Sequence, residues 1–275
     1  MPYRFAFYYV IVCIAVILAG FWQSYFSILG EVPWQFHAHG VAAVLWVTMV
    51  LAQSILVHKH QLPLHRVIGK ASLFLFPFLI GGLFGIIDYT GKNFGSGEDP
   101  VRTMLGGSFA TGMAMAAAAY VVLFYRALKY RRKVWLHAGY MLATPLILFE
   151  SPFSRILTTY VPGFIVTGPD TFGRILPAIL WSMALELAFI AGLWMKYRER
   201  AKPFLVAGVF IVAQMLAMGL SPKWHGIDQI LVLVGQVPSA AVVLTGMAIG
   251  AAASWLGWEA GKRSVLPPAG AAQPA

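Results

Sequence analysis

Two histidines in this sequence each open a long apolar run: His65 in LPLHRVIG and His137 in KVWLHAGYM. If the two runs are neighbouring helices, their imidazoles converge on one haem iron or one transition metal. Neutral imidazole is the commonest metal ligand, and bundles build cofactor sites with one ligand from each of two helices. The bland alternative for His65, next to Arg66, is an interfacial residue beside lipid phosphate. A second line starts at His39, which recurs with Trp46, Gln53 and His60 every seven residues and so keeps one slowly drifting stripe of a helix. At ~1.5 Å per residue, His39 and His60 lie roughly 31 Å apart, about one hydrocarbon thickness.

Glu150 and Glu186 are the sharpest single residues. An ionised carboxylate in hydrocarbon is costly, so such groups pair, protonate or line a pathway. Arg155, five residues beyond Glu150, offers it an ion pair. Glu186 has no charge within one helical turn, so its partner must come from another helix, with Gln53, Gln214 or a histidine as candidates. Glu186, Glu150 and Gln53 read as a proton route. His39, Glu150 and Glu186 read as a second, metal-type donor set toward the face opposite His65 and His137.

The elements that position these groups are membrane spans. The 275 residues are 59% hydrophobic and 11% charged, against about 25% charged in a soluble domain. The expected fold is an all-α polytopic bundle, one domain over 1–262, with a Pro/Ala-rich disordered tail over 263–275. About eight spans are read, with both termini cytoplasmic: Phe5 to Leu29, His37 to His60, Val67 to Tyr89, Met104 to Tyr125, Val134 to Leu157, Ile175 to Tyr197, Phe204 to Leu220 and Ala240 to Trp258. The first is too long for a signal-peptide core and reads as a signal anchor. Pro77 and Gly81-Gly82 mark a kink or close helix approach in the third, and the Ala/Gly/Ser-rich fourth belongs in the bundle centre. Residues 221–239 form an outer surface or re-entrant segment.

The net charge of +10 does not imply nucleic acid. Arg4, Lys59, Arg66, Lys70, Arg126, Lys129, Arg131, Arg132, Lys133, Lys196, Arg198, Arg200, Lys202, Lys262 and Arg263 fall in alternate loops, and Glu31, Asp88, Glu98, Asp99, Asp170 and Asp228 fall in the others. That is the positive-inside asymmetry, with membrane lipids the only partner it requires and the bacterial inner membrane the expected location. The single cysteine, Cys13, excludes an internal disulfide framework and a Cys-ligated metal centre, and reads as apolar filler. Walker loops, nucleophile elbows and HExxH are absent.

FWQSYF, the HAHG that opens a helix, LHRVIG and the later HAGYMLAT resemble a family of uncharacterised bacterial polytopic membrane proteins over roughly residues 20 to 156. That resemblance implies a fold and positions, not a reaction. The chain also has a likeness to cytochrome b561-type and ferric-reductase-type proteins, which hold two b haems between helices by paired histidines. The likeness implies His65 and His137 as an inner pair. At the outer face His39 lacks a histidine partner on the fourth span, and His225 is the only substitute.

The leading expectation is therefore a membrane redox or electron-transfer protein. It would hold haem b or a transition metal through His65 and His137, with His39, Glu150 and Glu186 at a second site or proton route. The rival is a proton-coupled small-molecule transporter working through Glu150, Glu186 and Gln53. A third reading is a non-catalytic subunit or assembly factor of a larger membrane complex.

Overall fold

The computed structural model describes residues 3–263, and among them every regular element is helical. Of the expected tail over 263–275, Arg263 instead ends the last helix and the rest lies outside the described residues. Nine α-helices follow in order: α1 Ala6–Phe21, α2 Trp34–His58, α3 Leu62–Ser96, α4 Pro100–Lys129, α5 Val134–Tyr160, α6 Ile175–Tyr197, α7 Lys202–Leu220, α8 His225–Gln236 and α9 Ser239–Arg263. Short 3-10 turns occupy Phe26–Glu31, Pro169–Arg174, Arg198–Ala201 and Ser221–Lys223.

Five stretches are long and apolar enough to cross a membrane: Trp34–His58, Leu62–Ser96, Pro100–Lys129, Pro169–Lys223 and Ser239–Lys262. The fourth of these contains both α6 and α7, which double back on each other through the Arg198–Ala201 turn.

Three boundaries differ from the sequence reading. The first apolar run is helical only to Phe21 and then tightens into the 3-10 turn. The chain leaves α2 at His58, and His60 takes a left-handed φ of 59°. His60 therefore sits in the exposed turn, and the heptad stripe ends at Gln53. In the other direction, α3 runs through what reads as an external loop. Its 35 residues extend about 52 Å at 1.5 Å per residue, well beyond one hydrocarbon thickness. It stops where Gly97 adopts a φ of 71°, a left-handed cap that glycine takes without a Cβ penalty. α4 then starts cleanly: Asp99 accepts hydrogen bonds from the Val101 and Arg102 amides at 3.0 and 3.1 Å, and Pro100 occupies the first turn. The segment 221–239 holds α8, whose Ile230 and Leu233 remain exposed, as does Trp224 just before it.

α3 packs against α2, α4, α8 and α9, and α4 against α3, α5, α7 and α9. Small residues permit this closeness. A Cβ on Gly250 of α9 would meet the Pro77 Cα at 2.8 Å, and one on Gly82 of α3 would meet the His39 Cα at 2.7 Å. Among these glycines the tightest approach to another helix's backbone is α1 on α5, where a Cβ on Gly20 would lie 2.1 Å from the Pro152 carbonyl oxygen. Backbone cannot yield there as a side chain can. Gly20→Ala is therefore expected to cost at least the ~1–3 kcal/mol of an overpacked core, read as a lower thermal midpoint in detergent. An unchanged midpoint would mean that α1 does not seat on α5 at this point.

The core is an aromatic layer. Trp46, Phe76, Tyr120 and Phe124 are fully buried, with Phe76 and Phe124 centroids 4.2 Å apart and Trp46 and Phe124 at 5.2 Å. Trp46 Nε1 donates to Thr144 Oγ1 at 2.9 Å, and the Tyr120 hydroxyl donates to the Thr144 carbonyl at 2.8 Å. The start of the chain is tied down separately, by the Tyr3 hydroxyl donating to the Arg200 carbonyl and its ring meeting Phe204 edge-on at 5.6 Å. Burial pushes the Tyr3 phenol up to about 12, so this tether remains a donor across the physiological range.

Candidate functional site

Three polar groupings lie inside the bundle. The first is at the end that carries most of the Lys and Arg. His65, in the first turn of α3, and His137, in the first turn of α5, have ring centroids 6.4 Å apart and ring planes at 89°. His137 Nδ1 lies 2.9 Å from the Ala127 carbonyl oxygen. A carbonyl only accepts, so Nδ1 carries the proton and the neutral ring presents an unprotonated Nε2. His65 Nδ1 is buried and makes no hydrogen bond. Gln53 of α2 joins this pair: its backbone faces the His65 ring, and its amide lies over Gly69, whose added Cβ would be 3.6 Å from Nε2. Both amide atoms of Gln53 are buried without a hydrogen-bond partner.

The second grouping sits near the middle of α6. Glu186 is 2% exposed and Glu150 of α5 is 6% exposed, and the two interact electrostatically. Glu186 Oε1 has no hydrogen-bond partner, nor has the buried Tyr9 hydroxyl, which lies beside the Cys13 thiol. Tyr9, Cys13 and Tyr120 all come close enough to Glu186 to feel its charge. Cys13, which reads as filler in the sequence, is thus part of a polar cluster. The ion pair that sequence spacing offers Glu150 is not formed: Arg155 Nη1 instead donates to the carbonyl and hydroxyl oxygens of Ser151 at 2.9 and 2.8 Å.

The third grouping lies at the opposite end. His39 Nδ1 is buried without a partner and its ring faces Arg155 electrostatically. Arg155 in turn feels Arg102. Buried Asp88, by contrast, is accounted for: it accepts from Lys92, which also donates to Ser239, and from Gln35 Nε2 at 3.4 Å.

The other histidines stay apart from these groupings. His37 Nδ1 is 2.9 Å from the Tyr25 hydroxyl, and His58 packs on Phe7 at 5.1 Å. The side chain of His225 is 93% exposed beside Asp228 and therefore does not complete an outer pair with His39. His39 and Gln53, fourteen residues apart on α2, are about 21 Å apart along the axis at 1.5 Å per residue. The histidines at the two ends therefore belong to separate sites. Among the described residues no three His, Cys, Asp or Glu side chains gather as a bare metal ion would require. That includes the His39, Glu150 and Glu186 set.

No family model, no curated protein and no solved structure matches this chain.

Every unpartnered buried side-chain atom among the described residues falls in one of these three groupings: His39 Nδ1, Tyr9 Oη, Glu186 Oε1, His65 Nδ1 and both amide atoms of Gln53. Leaving one such group dry costs about 1–3 kcal/mol. The six atoms fall at three levels along the bundle, on five side chains. Tyr9, Tyr120 and Arg102 are participants that sequence reasoning passed over. The available signal was a hydroxyl or guanidinium set inside an apolar run, which is also what the aromatic belt and helix ends look like.

Proposed function

We propose that the chain is a proton-coupled membrane carrier, crossing the membrane about eight times with α8 as an outer surface helix and both termini in the cytoplasm. The observation that carries this is the column of unpartnered polar atoms running from His39 through Glu186 and Tyr9 to Gln53 and His65. Intramembrane carboxyls that face the bundle interior are the usual parts of proton relays. Glu186 is the proton carrier at the midplane and Glu150 its neighbour. His65, His137 and Gln53 form the mouth at the basic, cytoplasmic end. The buried layer of Trp46, Phe76 and Phe124 separates the mouth from the midplane and acts as the gate. The test is pH-driven proton movement in reconstituted vesicles, with Glu186→Gln as the discriminating variant. Wild-type vesicles no leakier than empty ones would remove the reading.

A second reading rests on one distance. Two coaxial imidazoles sharing a metal at about 2.0 Å per bond have ring centroids about 6 Å apart, and His65 and His137 stand at 6.4 Å with His137 in the tautomer that frees Nε2. His65 and His137 would be the residues to hold a haem, and two side chains would suit it better than a bare ion. A bound haem would supply one-electron transfer. The chain would hold it from α3 and α5, fix the His137 ring through the Ala127 carbonyl, and keep Gln53 at its edge. Under this reading, protein purified from haem-supplemented cells shows a reduced-minus-oxidised b-type spectrum that His137→Ala abolishes. A flat spectrum leaves the carrier reading alone.

A further inference from the structure

We propose that the small cavity beside the first turn of α8 binds a primary ammonium group, presented by a free amine or by an aminophospholipid headgroup at the face opposite His65 and His137. The site lies apart from the polar column of the carrier reading and does not depend on it.

Three elements enclose the cavity: the start of α4, the 3-10 turn Ser221–Lys223 and the first turn of α8. Its volume is about 120 Å³, against roughly 10–15 Å³ for a single water. One small organic group fits. Ser108, in its α4 wall, is nineteen residues from Ala127, whose carbonyl meets His137. That is about 28 Å along α4 at 1.5 Å per residue, so cavity and histidine pair lie at opposite ends of the bundle. Glycine keeps the space open. A Cβ added at Gly107 would stand 3.3 Å from Ile227 Cγ2, 3.7 Å from Ser221 Cβ and 3.8 Å from Asp228 Oδ1. Ser221 and Asp228 thus border the same gap on α4.

The lining sorts ligands by charge. Among the residues lining the cavity, Asp228 alone is charged. No lysine or arginine among the described residues stands within ion-pair distance of it. Its Oδ2 faces His225 Nδ1 at 3.7 Å, beyond hydrogen-bond distance and at the exposed rim. That leaves Oδ1, the oxygen nearest Gly107, for a ligand.

Two buried serines supply the other acceptors. Ser108 is 1% exposed and Ser221 3%. Their hydroxyl oxygens are 2.9 Å apart, and both lie within reach of the Met218 carbonyl, at 2.9 and 3.0 Å. Two hydroxyl protons must serve these three contacts, so both are spent within the serine–carbonyl triangle. Thr103, also in the lining, likewise donates to the Asp99 carbonyl at 3.0 Å. What the hydroxyls have left is lone pairs. Met218 belongs to the last turn of α7, where the helix end adds partial negative charge. An anion would therefore meet acceptors on every polar side chain. An R–NH3⁺ group brings three donors to a carboxylate and two hydroxyl oxygens. Its carbon stem suits the wall made by Phe94, Met104 and Pro222.

The test is a thermal-shift titration of the purified protein in phosphatidylcholine nanodiscs at fixed ionic strength. The probe is ethylammonium chloride, with tetramethylammonium chloride and sodium chloride as controls that have no N–H donor. Ethylammonium is expected to raise the midpoint saturably while the controls do not. Asp228→Asn should keep the ligand-free midpoint, because its side chain is 45% exposed. It should weaken the response by roughly tenfold or more, the scale of one lost contact to a charged group. Ser108→Ala, which removes one acceptor, should weaken it by less. A second set of discs, with phosphatidylethanolamine replacing part of the phosphatidylcholine, separates the two sources. A midpoint raised by that headgroup in wild type but not in Asp228→Asn supports the site and assigns it to lipid. A response to ethylammonium in phosphatidylcholine alone supports it and assigns it to a free amine. The site is overturned if neither source acts on the wild type, or if tetramethylammonium acts as strongly as ethylammonium. A full response from Asp228→Asn overturns it as well.

Discussion

Glu186→Gln is expected to reduce pH-driven proton movement in vesicles to that of protein-free liposomes while leaving the fold intact. Glutamine has nearly the same size and can still hydrogen-bond, so packing around the 2%-exposed position changes little. What it lacks is a proton that can leave. Glu186 occupies the middle of the column, with Glu150 beyond it toward His39 and Arg155 and with Tyr9, Cys13 and Tyr120 around it. The hydroxyls around it can relay a proton but cannot store one, and Glu150, the other carboxyl, lies on the Arg155 side of it, farther from the Gln53–His65 mouth. The measurement is quenching of a pH-sensitive dye after an imposed pH step, run beside a thermal midpoint on the same preparation. A variant that folds and still moves protons at the wild-type rate would show that the carboxyl is a structural donor. Gln53 should behave differently. It holds no titratable proton, so Gln53→Leu ought to slow the flux by dehydrating the cytoplasmic mouth rather than abolish it.

Trp46→Ala is expected to have the largest effect on stability. Trp46 is fully buried, meets Phe76, Tyr120 and Phe124 and donates to Thr144. Truncating such a residue costs about 3–5 kcal/mol through lost contacts and the cavity left behind. Trp46→Phe keeps most of the ring contact and loses the hydrogen bond, for about 1 kcal/mol. The two substitutions therefore separate packing from polar anchoring when denaturation midpoints in mixed detergent are compared. The alanine variant also opens a path between the Glu186 cluster and the Gln53–His65–His137 mouth. Vesicles bearing it are expected to leak protons without an imposed cargo gradient, whereas the phenylalanine variant stays tight. Equal stability of the two variants, with no leak in either, would refute the gate.

Much of the architecture was legible in the chain because the length of an apolar run is a local property. Apolar length, turn formers and the alternation of basic and acidic loops add up residue by residue, and no knowledge of neighbours is needed to place α2 and α4 to α7 within about four residues. Errors arose where one residue's backbone decides the boundary. His60 turns left-handed and closes α2, and the Asn93–Gly97 end of α3 carries helix through a segment whose composition reads as loop. Composition reports which residues break a helix, not whether a packed neighbour will hold it together.

By itself the sequence established an all-helical chain with helices long and apolar enough to cross a membrane, which groups in it can titrate, and how far along its helix each of them sits. That position follows from counting residues along a helix of known rise. Only the tertiary structure decided which of those groups meet. Helix rotation about its axis is set by contacts between residues far apart in the chain, such as Gly20 on Pro152 and Gly82 on His39. In the packed bundle His65 meets His137 and Glu186 meets Glu150, while His225 is left in solvent.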